Sequence, residues 1–215
     1  MTGMDPKQQA LAQYLALAPV VPVVVIDDAT HAVPLARALV AGGIHAIEIT
    51  LRTPAALEAV RAIAAEVEGA VVGVGTVLAP EQWLAAERAG ARFAVSPGAS
   101  PNLIAAAQDH ALPWLPGAAS ASEAMALREH GYHYLKFFPA EAIGGAAALR
   151  ALAGPLPDLR YCATGGIGLH NARDYLALGN VMAVGGSWLT PSERVAKGDW
   201  AGISQLAREA AALRA

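Results

Sequence analysis

The sequence predicts an α/β protein: a single (β/α)8 TIM barrel with an N-terminal helix. Three observations predict it. Short β-rich apolar runs alternate with Ala- and Leu-rich stretches of helical period, eight of each. Gly, Pro, Ser or Asp joins each pair, and 215 residues sit at the compact end of the size range of such barrels. The repeat is structural, about 24 residues long, without sequence self-similarity. An open doubly wound sheet is the competing architecture. Its dinucleotide-binding form carries G-x-G-x-x-G after the first strand, and Val24-Val25-Ile26-Asp27-Asp28 has no glycine there. Gly73-Val74-Gly75-Thr76-Val77-Leu78 follows a later strand and lacks the third glycine.

A helical lead-in, 1–18, precedes the barrel domain, 19–215. The first strand is the β-branched run 21–27, and Asp27-Asp28 behind it reads as a helix cap. Helix 35–41 follows, then strand 45–51, in which Ile47, Ile49 and Leu51 alternate with Ala46, Glu48, Thr50 and Arg52. Helix 55–66 leads to the valine-rich strand 70–77, helix 81–88 to strand 91–96, and helix 103–109 to strand 112–116. Helix 122–129 leads to the aromatic strand 132–138, helix 146–151 to strand 159–163, and helix 171–178 to strand 181–187, with helix 203–213 last. Gly42, Gly90, Gly131, Gly154 and Gly179 stand where helices end.

Composition excludes several functions. With 55% apolar and 15% charged residues the chain fills a core and is not disordered. A formal charge of −3 gives no basic excess for a nucleic acid or an anionic membrane. The longest apolar runs fall far short of the ~20 residues of a spanning helix, and the polar start Met1-Thr2-Gly3-Met4-Asp5 lacks the apolar stretch of a secretory signal. A cytoplasmic protein is expected. Cys162 alone forms neither an internal disulfide nor a cysteine zinc cluster and reads as a buried packing residue, as Trp83, Trp114 and Trp200 do. The six histidines have no ligand spacing, so no metal is expected, and without a dinucleotide glycine motif no cofactor is expected either.

Barrel chemistry collects at the C-terminal strand ends. In the second strand, Glu48 and Arg52 share a face, and strands of a parallel barrel are buried on both faces, so this charged face points inward. In the sixth strand, Lys136 shares parity with Tyr134 and Phe138. Taking an ammonium out of water disfavours its charged form, and a neutral amine attacks a carbonyl. Two inward ionisable groups at comparable height, Lys136 and Glu48, make a nucleophile and a proton shuttle. The competing readings are a lysine whose head reaches solvent and a structural ion pair.

The seventh and eighth strands end in Thr164-Gly165-Gly166 and Gly185-Gly186-Ser187-Trp188, where backbone amides and a following helix N-terminus suit a phosphate. Thr76, at the end of the third strand, offers a hydroxyl to a carboxylate for which Arg52 supplies a charged partner. Ser96-Pro97-Gly98 and Pro116-Gly117 read as wall and turn elements.

Together Val20-Val21-Pro22-Val23, Glu48-Ile49-Thr50-Leu51-Arg52-Thr53, Val74-Gly75-Thr76-Val77-Leu78, Ser96-Pro97-Gly98, Lys136-Phe137-Phe138-Pro139-Ala140-Glu141, Thr164-Gly165-Gly166 and Gly185-Gly186-Ser187-Trp188-Leu189 carry a resemblance. In this order and spacing, from about Pro19 to Pro191, the chain resembles the bacterial 2-dehydro-3-deoxy-6-phosphogluconate (KDPG) aldolase family. The resemblance implies a trimeric, metal-independent class I aldolase of the Entner–Doudoroff pathway. It implies Lys136 as Schiff-base lysine, Glu48 as general acid/base, and Arg52 and Thr76 as binders of the pyruvyl carboxylate. Pro97 and Phe138 match pocket walls; Gly165, Gly166, Gly186 and Ser187 match phosphate loops. Ala163 stands where the family commonly has proline, and Asp27-Asp28 replaces a more basic pair.

The implied reaction is reversible cleavage of KDPG to pyruvate and D-glyceraldehyde 3-phosphate, with 4-hydroxy-2-oxoglutarate cleavage as a side reaction. An aldolase for the galactonate epimer is the nearest alternative. A non-covalent phosphosugar isomerase and a phospholigand sensor are the alternatives from other classes.

Overall fold

The computed structural model describes residues 5–214. Residues 1–4 of the polar start, and residue 215 at the end of the expected barrel domain, lie outside the described residues. The described residues form nine parallel strands: β1 Val20–Val24, β2 Ala46–Thr50, β3 Val71–Gly75, β4 Ala94–Val95, β5 Trp114–Leu115, β6 Gly117–Ala118, β7 Tyr134–Phe137, β8 Arg160–Thr164 and β9 Val181–Gly186. Their order is β5-β4-β3-β2-β1-β9-β8-β7-β6. The two ends of that order, β5 and β6, are separated only by Pro116, so one extended segment pairs with β4 on one side and β7 on the other. This closes the ring into the expected eight-position barrel. The sequence ended the fifth strand at Pro116. Proline has no N–H for the ladder, but its carbonyl accepts from the Lys136 amide at 2.8 Å, and pairing resumes at Gly117.

Around the ring lie α2 (Ala32–Ala41), α3 (Ala56–Glu66), α4 (Glu81–Arg88), α5 (Pro101–Asp109), α6 (Ala121–Glu129), α7 (Gly145–Ala153), α8 (Ala172–Leu176), α9 (Ser192–Ala196) and α10 (Trp200–Ala211), after an N-terminal α1 (Pro6–Ala16). The sequence pattern did not mark α9, a turn and a half before the last helix. Asp28 caps a short 3-10 turn, accepting from the Thr30 hydroxyl at 2.7 Å and the Thr30 amide at 2.9 Å, and these two hydrogen bonds hold its carboxyl below the usual range. Gly90 and Gly131 adopt the left-handed backbone expected of helix ends, but Gly42 does not; Gly43 takes it, at φ 88°. Gly42 is instead a packing site, since a Cβ there would lie 2.3 Å from Cβ of Ala207 on α10. Gly154 keeps helical φ and ψ of −68° and −57°.

Alternation along the strands divides the core in two. Ile47, Ile49, Val72, Val74, Leu135, Phe137 and Tyr161 face the helices, in one large cluster. Val21, Phe93, Val95, Leu115, Cys162 and Ala183 fill the lumen. Leu11 and Leu15 of α1 belong to the lumen cluster, with Tyr14, Val71, Tyr134 and Met182 packed against it, so α1 stoppers the N-terminal end of the barrel. Asp5 caps α1, accepting from the Lys7 amide at 2.7 Å. The buried Gln8 side chain accepts from the amides of His133 and Tyr134 at 2.9 and 3.3 Å. The opposite, C-terminal end is left for chemistry. Among the described residues no helix is long and apolar enough to cross a membrane.

Candidate active site

Glu48 on β2 and Lys136 on β7 come from opposite sides of the ring and meet inside it. Each is almost wholly buried, at 3% and 5% exposure, and Nζ of Lys136 stands 3.5 Å from Oε1 of Glu48. An amine and a carboxyl buried together at that distance are partners for one another, which is the condition for burying either. The carboxylate fits because Gly75, next to it on β3, has no side chain: a Cβ there would lie 2.0 Å from Oε1 of Glu48. The Phe138 ring centroid is 5.3 Å from Nζ, so the ammonium form also meets an aromatic face.

Below the pair lies Cys162, register partner of Lys136 and in the lumen rather than against the helices. Burial pushes its thiol up to about 12, although Lys136 opposes the shift. It is packing, as its sequence context suggested.

Above the pair, Nε of the exposed Arg52 donates to Oγ1 of Thr76 at 3.1 Å. Thr76 adopts φ of 59°, a left-handed backbone that a β-branched residue rarely takes. Thr50, on the same strand face as Glu48, donates its hydroxyl to the Val24 carbonyl at 2.9 Å and ties β2 to β1. Pro97 packs against β6, which Gly117 brings so close that a Cβ would lie 2.1 Å from the Pro97 carbonyl oxygen. Ser96 accepts from Nε1 of Trp114 at 3.0 Å and donates to the Gly98 carbonyl at 2.6 Å, fixing that segment.

Gly165 and Gly166 have φ of 106° and 75°, conformations open to glycine at little cost. Gly186 is covered by the Trp188 ring, where a Cβ would lie 1.7 Å from Cζ3, and Ser187 beside it is exposed. The expected helix N-termini are not at these loops. The helix after β8 begins only at Ala172 and the one after β9 only at Ser192, so what these loops present is their own backbone. The sequence marked Thr164 only as the start of the Thr164-Gly165-Gly166 string, yet the parity that turns Cys162 inward turns Thr164 inward too, at the C-terminal end of β8. Its Oγ1 occupies the space left by Gly185.

A groove of about 760 Å³ lies at the other end of the barrel, lined by Lys7, Tyr14, Arg92 and His110 among others. Size does not choose between the two ends; the buried amine and carboxylate do. Among the described residues no group of three or more His, Cys, Asp or Glu side chains is placed to hold a metal ion.

Known proteins resemble the chain throughout. The family model described as KDPG and KHG aldolase matches residues 11–206. The 2-dehydro-3-deoxy-phosphogluconate aldolase of Dickeya dadantii is 52% identical over 93% of this chain and 94% of its own. The KDPG aldolase of Legionella pneumophila, solved with pyruvate captured as a covalent carbinolamine, superposes with a TM-score of 0.91 at 43% identity, over 94% of this chain and 98% of that one. The 2-keto-3-deoxy-6-phosphogluconate aldolase of Zymomonas mobilis, solved with 3-phosphoglycerate, has a TM-score of 0.91 at 45% identity, covering 96% and 97%.

Proposed function

This chain belongs to the KDPG and KHG aldolase family, and from that premise we propose that it is a class I aldolase cleaving 2-dehydro-3-deoxy-6-phospho-D-gluconate reversibly to pyruvate and D-glyceraldehyde 3-phosphate. The observation that carries the reading is the buried Lys136–Glu48 pair at 3.5 Å, at the barrel end where such folds do chemistry. The carbinolamine of the Legionella enzyme and the curated names of the relatives support it.

The neutral amine of Lys136 attacks the C2 ketone to give a carbinolamine, and loss of water leaves an iminium. Glu48 takes the C4 hydroxyl proton, directly or through a water. The C3–C4 electron pair moves into the iminium, the aldehyde departs, and an enamine of pyruvate remains. Protonation at C3 and hydrolysis then release pyruvate and restore the amine. The iminium is the electron sink, which is the work an electrophilic metal does in other aldolases. Arg52 and Thr76 hold the pyruvyl carboxylate, Pro97 and Phe138 form the walls, and amides at Gly165, Gly166 and Gly186 with the Ser187 hydroxyl receive the phosphate. 4-Hydroxy-2-oxoglutarate, which yields glyoxylate, uses the same pair without the phosphate loops.

The same reading treats 1–18 as a lead-in and 19–215 as the catalytic barrel, and places a homotrimer in the cytoplasm, in the Entner–Doudoroff pathway. Kinetic assay of Lys136→Met and Glu48→Gln tests the chemistry. Lys136→Met is expected to reduce KDPG cleavage to background, and Glu48→Gln to lower kcat by about 10²–10⁴-fold. Full activity in Lys136→Met points to a non-covalent enzyme instead.

A further inference from the structure

The glycine loop after β8 is held from behind by three side chains that touch no part of the Lys136–Glu48 pair. Asn171 spans it: Oδ1 accepts from the Gly168 amide at 2.9 Å, and Nδ2 donates to the Gly166 carbonyl at 3.2 Å. Glu141 braces it from the β7 side. Its amide donates to the Gly165 carbonyl at 3.1 Å, and its stem fills the space against Gly166, where a Cβ would lie 2.6 Å from Cγ. The Tyr175 hydroxyl on α8 donates to Oε1 of Glu141, which draws that carboxylate toward α8. Tyr175 is 1% exposed, and burial followed by this hydrogen bond keeps its hydroxyl protonated.

The consequence is a division of labour in the loop. The carbonyls of Thr164, Gly165, Gly166 and Gly168 are all engaged, by Ala140, Glu141, Asn171 and the start of α8. Among the described residues the amides of Gly165 and Gly166 make no backbone hydrogen bond. Acceptors are thus tied back and donors left free, and donors fixed in advance bind an anion without the cost of ordering a mobile loop.

We propose that Asn171 and Tyr175 are positioning residues that fix the Gly165–Gly166 loop for a phosphate ester and thereby set the preference for phosphorylated over unphosphorylated substrates. The inference rests on the aldolase reading above and on the phosphate-loop role within it. It calls for no contact between either side chain and the substrate.

Asn171→Ala and Tyr175→Phe test it, with steady-state kinetics on KDPG and on 4-hydroxy-2-oxoglutarate and with inorganic phosphate as competing inhibitor. Loss of two loop hydrogen bonds in Asn171→Ala is expected to raise KM for KDPG and the phosphate inhibition constant about ten-fold. A rise of about three-fold is expected for Tyr175→Phe, which removes one bond. Kinetics on 4-hydroxy-2-oxoglutarate, and kcat on KDPG, stay within about two-fold. Equal losses on both substrates overturn the inference in favour of a general structural role, as does unchanged KM and phosphate inhibition. Tyr175→Phe keeps the buried ring, so it carries the test if Asn171→Ala fails to fold. Wild-type protein that cleaves neither substrate overturns the aldolase reading, and this inference with it.

Discussion

Gly75 shows how a missing side chain makes room for a charged one. Had β3 carried alanine there, its Cβ would fall 2.0 Å from the Glu48 carboxylate, and the Lys136–Glu48 approach would be lost. Glu48 and Lys136 were legible in the sequence because strand periodicity of two assigns each to a face. The role of Gly75 was not, because it depends on the register between β2 and β3, which pairs Thr50 with Gly75 and Glu48 with Gly73. Nor were Asn171 and Tyr175 legible, since they act on a loop through a five-residue helix whose placement only the closed ring defines. Cys162 gives a test at this scale. Its thiol is pushed up from 9.0 to about 12 by burial, so between those pH values the folded chain keeps a proton that the unfolded chain releases. The stability that this neutral thiol confers is therefore full below about pH 9 and is lost as pH rises toward 12. At pH 8 the folded protein is expected to resist iodoacetamide and the denatured chain to react within minutes, read by intact mass; rapid labelling of the folded protein contradicts the buried placement.

At the scale of elements, α1 does more than lead into the barrel. Its Leu11 is fully buried and Leu15 is 3% exposed, both in the lumen cluster with Phe93, Cys162 and Ala183. The sequence marked a helical stretch here but not its docking surface, because the lower mouth of the barrel exists only once the strands have closed. Eight strand positions and the helices that follow them were legible from period and punctuation. The split at Pro116 and the short α9 were not, as Gly117-Ala118 carries no β-rich run and Ser192–Ala196 has no buried face to show as a period. Leu11→Ala is expected to cost about 2–5 kcal/mol, the range for a large-to-small change in a packed core. Urea unfolding checks this, and a loss below about 1 kcal/mol would show that α1 is peripheral to the cooperative unit.

For the whole molecule, closure of the ring separates two tasks. The N-terminal end is stoppered by α1 and serves stability. The C-terminal end gathers a buried amine and carboxylate, a strained threonine beside an exposed arginine, and glycine loops with free amides. The chain has three lysines, Lys7, Lys136 and Lys197, so the central claim reduces to which of them pyruvate modifies. Lys7 is occupied with carbonyls at the end of α5, and Lys197 is paired with Glu193 on the surface. Borohydride reduction in the presence of pyruvate, followed by intact mass and peptide mapping, decides it. A single reduced pyruvate adduct on the peptide holding Lys136, absent from Lys136→Met, is the expected result. No adduct despite independently demonstrated pyruvate binding, or an adduct on Lys7 or Lys197, would contradict the Schiff-base account.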